Sequence, residues 1–271
     1  MNARAQTMNG GSRTDFSTAL LIEYRKLMTT RAWWIFGLVA VAVGATITIL
    51  TVAGSTPGTH SPLEVFTGAL TGGVQTSYMV TAMVGIAAVA GEYRHRTVTP
   101  SYLAIPHRGQ LISAKLVVLL GYGFVMGLIV MIVCASIAAP WLSQRGLLNG
   151  SLEAFGIMRA ILGGATAIAI VTSLGVALAA LVHNQMIAVG SLLVYLFAIE
   201  PSIHNLEATR SAYPFLPGGA VQSLTYSGHT AFGSPTGAVL LNPWLGAGLL
   251  VVYAIVITGI AVVTTIRRDV T

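Results

Sequence analysis

A chain of 271 residues that is 55% hydrophobic and only 8% charged, with a mean hydropathy of +0.79, does not keep its surface in water. A soluble domain of this length carries roughly 25% charged residues. The 14 Lys and Arg against 8 Asp and Glu leave a net charge of +6. The basic residues cluster beside apolar runs, which points to a lipid bilayer as partner rather than nucleic acid. Cys134 is the single cysteine, so the chain forms no internal disulfide.

Residues 1–14 read as a disordered polar tail, and the first 30 residues lack the apolar core and cleavage site of a signal peptide. Residues 15–31 predict an amphipathic helix lying in the membrane interface. Asp15 is suited to cap it, and Phe16, Leu20, Tyr24, Leu27 and Met28 share one face at helical spacing. Glu23, Arg25 and Lys26 fall mostly elsewhere. Trp33 and Trp34 then mark the edge of the bilayer.

Residues 32–271 predict an all-α transmembrane domain. A hydrocarbon core of about 30 Å needs about 20 apolar helical residues. Six segments approach that length, near 33–53, 68–90, 111–138, 160–182, 186–203 and 244–266. The loop after the second span is the most basic internal stretch, and Pro100 and Pro106 bracket a segment long enough for one or two helical turns. His183-Asn184-Gln185 joins spans four and five as a tight hairpin. Span five has only a short uninterrupted run before Glu200 and Pro201, which predicts a helix that is either short or broken at its outer end. The connection from 207 to 243 contains Tyr213-Pro214-Phe215-Leu216-Pro217, too apolar for a solvated loop. It predicts short helices partly buried in the outer leaflet.

Charge orients the bundle. Arg4, Arg13, Arg25, Lys26, Arg31, Arg94, Arg96, Arg108, Lys115, Arg267 and Arg268 fall on one side, and Arg145, Arg159 and Arg210 on the other. The positive-inside rule places the first set, and with it both termini, in the cytoplasm of a cell membrane, that of a bacterium by expectation.

This layout resembles the permease subunit of the type-two ATP-binding-cassette (ABC) exporters. Glu23-Tyr24-Arg25-Lys26-Leu27 followed by Thr30-Arg31 and aromatics is similar to the family's N-terminal connecting helix. Gly91-Glu92-Tyr93-Arg94-His95-Arg96-Thr97, then Leu103, Pro106, Arg108 and Lys115, resembles the stretch that contains its coupling helix, although Arg96 stands where a Gly is common. The apolar stretch at 214–220 is similar to its external helices. The resemblance implies a substrate path coupled to separate ATPase subunits through Glu92, Arg96, Thr97, Tyr102, Leu103 and Arg108. It also implies a second permease subunit and an interfacial helix built on Phe16, Leu20, Glu23, Tyr24, Lys26 and Leu27. The chain itself has neither an enzyme's catalytic set nor a cofactor or metal on this reading. A phosphate-binding loop needs Gly-x-x-x-x-Gly-Lys-Ser/Thr, and neither of the two lysines, Lys26 and Lys115, has that context, so ATP and Mg would be bound by the partner ATPase.

Two other classes are open. Glu200, His204 and Glu207, at i, i+4 and i+7, have the spacing of a metal site, which would make the chain an intramembrane enzyme, although Pro201 interrupts the helix and no His-Glu-x-x-His is present. Gly190-Ser191 near His183 lacks the surroundings of a serine hydrolase and reads as small-residue packing. An ATP-independent transporter or membrane scaffold is the third class.

Overall fold

A computed structural model describes residues 16–55, 61–94, 108–146, 154–182, 184–233 and 237–268. The tail at 1–14 lies outside them. The described residues are helical apart from turns and one isolated bridge between Thr230 and Val239. The helices are α1 (Phe16–Thr29), α2 (Ala32–Gly54), α3 (Pro62–Arg94), α4 (Arg108–Gln144), α5 (Ala154–Val182), α6 (Gln185–Asn205), α7 (Pro217–Thr225) and α8 (Pro243–Arg268). Six of them, α2 to α6 and α8, contain a stretch long and apolar enough to cross a membrane. The protein is an all-α multi-pass membrane protein.

The burial pattern is that of a protein surrounded by hydrocarbon. Leu38 and Leu50 are each 61% exposed and Trp244 is 85% exposed, while Thr48, Thr71, Ser77, Thr172 and Gln222 are buried. A water-soluble fold does the reverse. With lipid outside, apolar burial does not drive helix association, and close packing of small residues and interhelical hydrogen bonds take over. Both are present. Gly123 and Gly127 of α4 lie so close to α5 that an added Cβ would sit 2.8 Å from the Ala169 Cα and 2.7 Å from the Ala165 Cα. Gly175 of α5 meets the Ala82 carbonyl of α3 in the same way. Ser77 Oγ donates to the Ala40 carbonyl at 2.9 Å and Thr71 Oγ1 to Thr225 Oγ1 at 2.9 Å. The most buried helix, α5, therefore sits at the centre against α3, α4, α7 and α8.

Helix ends follow local chemistry. Ser61 and Glu64 form a reciprocal capping box, the Ser61 N–H donating to Glu64 Oε2 at 2.9 Å and the Glu64 N–H to Ser61 Oγ at 3.3 Å, with Pro62 opening the helix. This starts α3 six residues before the apolar run at 68–90. Asn184 Oδ1 accepts from the Met186 and Ile187 N–H groups and caps α6. Arg145, just beyond α4, donates to the Val52 and Ala53 carbonyls at 3.1 Å each, closing the end of α2 with a cation.

Span five is not broken at Pro201, contrary to the sequence expectation. The helix runs on to Asn205 through a π turn at Tyr195–Ile199, in which the Glu200 N–H donates to the Tyr195 carbonyl five residues back. Proline lacks an N–H and its ring crowds the carbonyl four residues earlier, here that of Phe197. The widened turn before it relieves that conflict without ending the helix.

Candidate functional site: a charge clamp at the α1 end

At the end of the bundle where α1 lies, both lysines of the chain and two carboxylates converge. Glu23 Oε1 accepts from Lys26 Nζ at 2.9 Å, one turn along α1. Glu23 Oε2 lies 2.9 Å from Lys115 Nζ of α4. Glu92, near the end of α3, receives both ammoniums on Oε1, Lys115 at 2.8 Å and Lys26 at 3.0 Å. Lys115 completes its third donor on the Ala88 carbonyl, one turn before Glu92, at 3.2 Å. The result is a closed ring of alternating charge that links α1, α3 and α4.

Burial within the ring is uneven. Glu23 is 4% exposed and the Lys115 side chain 8%, whereas the Lys26 side chain is 37% exposed. Burial alone would push the Lys26 ammonium down, but its hydrogen bonds and charge attraction to Glu23 and Glu92 outweigh that and leave its pKa above the usual lysine value. A cleft of about 600 Å³ opens beside the ring, and its lining adds the apolar Leu27, Ala87, Ala88, Val118 and Leu119 and the polar Thr29, Thr30 and Gln185 to the four charged residues.

Helix α1 carries the residues expected of it, in an orientation the sequence reading did not give. Leu27 is buried in the core and Leu20 packs beside the Ala19–Ala114 contact. Phe16, Tyr24 and Met28, which share the apolar face of the expected interfacial helix, are exposed, and Glu23 points inward. The physical reason is Lys115. A buried cation on α4 draws in the one carboxylate of α1, so the contact face is Ala19, Glu23 and Leu27 rather than the most apolar stripe. The aromatic residues then face outward, as suits a helix whose outer surroundings are lipid. Tyr122 OH reinforces the junction by donating to the Trp33 carbonyl at 2.7 Å.

Of the residues expected to couple to an ATPase, Glu92 is in the ring. Arg96, Thr97, Tyr102 and Leu103 lie outside the described residues, and Arg108 opens α4 with a side chain that also lies outside them. In sequence Lys115 counts only among the basic residues that orient the bundle and in the resemblance to the family's stretch after span two. Its role in the ring had a signal, since Glu92 and Lys115 are ionisable groups at the adjoining ends of consecutive spans.

A second polar site lies at the opposite end. Glu200 is buried on α6, and its Oε1 accepts the Gly218 N–H of α7 at 2.6 Å. Leu216 gives α7 no side-chain cap, so Glu200 supplies the missing acceptor from another helix. The neighbouring Tyr213 ring stacks on His204 with centroids 4.3 Å apart. All of 218–225 is buried, and Tyr253 OH of α8 holds the Phe215 carbonyl at 2.8 Å, which seats the segment before α8 in the bundle. Glu207 faces away, its side chain 84% exposed and 3.9 Å from Arg210. Glu200, His204 and Glu207 therefore do not converge, and no metal-holding group of His, Cys, Asp or Glu occurs among the described residues. Ser191 Oγ is bonded to its own helix at the Ala188 carbonyl, 3.0 Å away.

No family model and no curated protein matches the chain.

Proposed function

We propose that the chain is the transmembrane permease subunit of an ABC exporter, paired with a second permease and driven by ATPase subunits on separate chains that bind ATP and Mg. The observation that carries the reading is the clamp. The segment at 95–107 leaves from the end of α3, two residues after Glu92, and returns into α4, seven residues before Lys115. A push on that segment meets a base in which α1, α3 and α4 are tied by ion pairs, so the three helices respond as one body. Helix α3 has 33 residues and α4 has 37, and both run to the opposite end of the bundle, where α3 packs on the external helix α7. Closure of two ATPases would in this way tilt long levers and reorient two permeases around a path between them. The eleven-to-three division of basic residues supports a cytoplasmic α1 end in a cell membrane.

Three measurements test it together. Reporter fusions at Thr271 and near Ser227 should read cytoplasmic and external, respectively. An ATPase should co-purify with the tagged chain, and Tyr102→Ala with Leu103→Ala should weaken that association or uncouple hydrolysis from export while expression survives. Tyr102 and Leu103 are the two largest apolar side chains beside each other in that segment, and aromatic anchors are frequent at the centre of such interfaces. An external signal from Thr271 would overturn the topology. Intact ATPase binding and export in the double variant would overturn the coupling assignment.

A further inference from the structure

The cleft beside the clamp matches a ligand of one particular chemistry. Among the described residues its lining holds two ammoniums and two carboxylates, whose charges balance. A free phosphate or nucleotide would need a net positive wall. The same lining includes Leu27, Ala87, Ala88, Val118 and Leu119, which suits an acyl or glycerol region and not a solvated solute. Thr29 and Thr30, which line the same cleft, stand three and four residues before Trp33, at the level where aromatic belts meet lipid headgroups.

Hydrogen-bond capacity narrows the choice further. Thr29 Oγ1 gives its hydrogen to the Lys26 carbonyl at 2.9 Å, and Thr30 Oγ1 gives its hydrogen to the Leu27 carbonyl at 2.8 Å. Both hydroxyls therefore offer lone pairs alone, in a cleft that the Glu92 carboxylate also lines. A primary ammonium, with three donors, satisfies such acceptors; a quaternary ammonium has no donor to give. Lys26, the more exposed cation of the ring, supplies the attraction for a phosphate a few ångströms away.

We propose that this cleft binds a single phospholipid through a zwitterionic headgroup bearing a primary amine, as in phosphatidylethanolamine. The proposal depends on the membrane placement of the chain and not on an ATPase partner.

Gly91 provides a clean test. It lines the cleft, and an added Cβ there meets nothing within 4 Å, so the first carbon of a larger side chain is accommodated without a clash. The full chain in mild detergent, stripped of lipid, is offered phosphatidylethanolamine, phosphatidylcholine or phosphatidylglycerol, and bound lipid is counted by native mass spectrometry. The wild type should retain one phosphatidylethanolamine with roughly tenfold preference over phosphatidylcholine, the ratio expected from one charge-assisted hydrogen bond. Gly91→Leu should lose that retention while its lipid-free melting temperature holds. Gly121→Leu, at an open position outside the cleft, should keep the preference. Equal retention of the amine and choline lipids, a preference for phosphatidylglycerol, or undiminished retention in Gly91→Leu would each overturn the assignment and leave only ordinary surrounding lipid. Loss of ATPase association would bear on the proposed function and leave this result standing.

Discussion

The clamp makes a quantitative prediction about which of its two rungs matters. Glu23 and Lys115 form the buried rung, whereas Lys26 lies more than a third exposed on the other. Removing one partner of a fully buried pair costs about 3–5 kcal/mol because the survivor is stranded. In Glu23→Ala, Lys115 keeps Glu92 and the Ala88 carbonyl, so the cost falls to about 2–3 kcal/mol, the loss of charge-assisted hydrogen bonds without a fully orphaned ion. Lys26→Gln removes a rung that water already screens and should cost less than about 1 kcal/mol. At roughly 2–4 °C per kcal/mol for domains of comparable size, Glu23→Ala should melt about 5–10 °C lower in detergent, and Lys26→Gln no more than a few degrees lower. A double-mutant cycle with Glu23→Gln and Lys115→Met should return a coupling of about 1–3 kcal/mol, larger than the cycle for Lys26 and Glu92. The pH dependence has a definite sign. The Lys26 pKa is raised on folding, so its contribution is complete below the unfolded value of 10.5 and fades as pH climbs through the folded one. The gap between wild type and Lys26→Gln should accordingly be flat through neutral pH and shrink only in strong alkali. Equal melting shifts for the two single variants, or a Glu23–Lys115 coupling near zero, would refute the claim that the ring holds α1 to the bundle.

Two further predictions follow from the packing. Gly127→Val should abolish assembly of α4 on α5, because its Cβ meets Ala165 backbone that cannot yield, at the upper end of the roughly 1–3 kcal/mol range for overpacking or beyond it. Gly121→Ala on the same helix, where a Cβ meets nothing, should be neutral or mildly stabilising by size-exclusion profile and melting temperature. At the opposite end, Glu200→Ala leaves the Gly218 N–H buried without an acceptor at a cost of about 1–3 kcal/mol, whereas Glu200→Gln keeps a carbonyl there and should lose less. A cysteine placed near the start of α7 in a Cys134-free background should label faster in the Ala variant than in the Gln variant, and identical labelling would mean the hydrogen bond does not seat the helix.

Much of the fold was legible because hydrocarbon imposes a simple rule. Backbone groups in a bilayer must be satisfied within the segment, so length and hydropathy suffice to find the spans. The ends were harder, for a reason visible at Ser61-Pro62-Leu63-Glu64. This stretch is polar and fails a hydropathy criterion, yet its capping box starts α3 several residues earlier than the apolar run. Pro201 misled in the opposite direction. Its local effect is to break a helix, but the π turn at Tyr195–Ile199 absorbs it, and whether a chain takes that route depends on what the far side gains. Here the continuous helix delivers Glu200 to Gly218, eighteen residues on, a contact that no local pattern encodes.

The site was less legible than the fold, and Glu23 shows why. A helical-wheel argument assigns a charged residue to the solvated face, because the alternative requires a counter-charge from elsewhere in the chain. That counter-charge exists, but it stands on α4, 92 residues away from Glu23, and α3 contributes the carboxylate that balances it. In a chain with only two lysines and eight carboxylates, each internal ion pair removes a charge that would otherwise anchor the protein in the headgroups. Spending both lysines on one ring has a physical consequence. The four charges of the ring balance, so the docking of α1 does not depend on the charge of the surrounding lipid, whereas the exposed Arg25 and Arg31 are left to meet that charge. The composition that announces a membrane protein thus also fixes where its internal electrostatics are concentrated, at the base of α3 and α4.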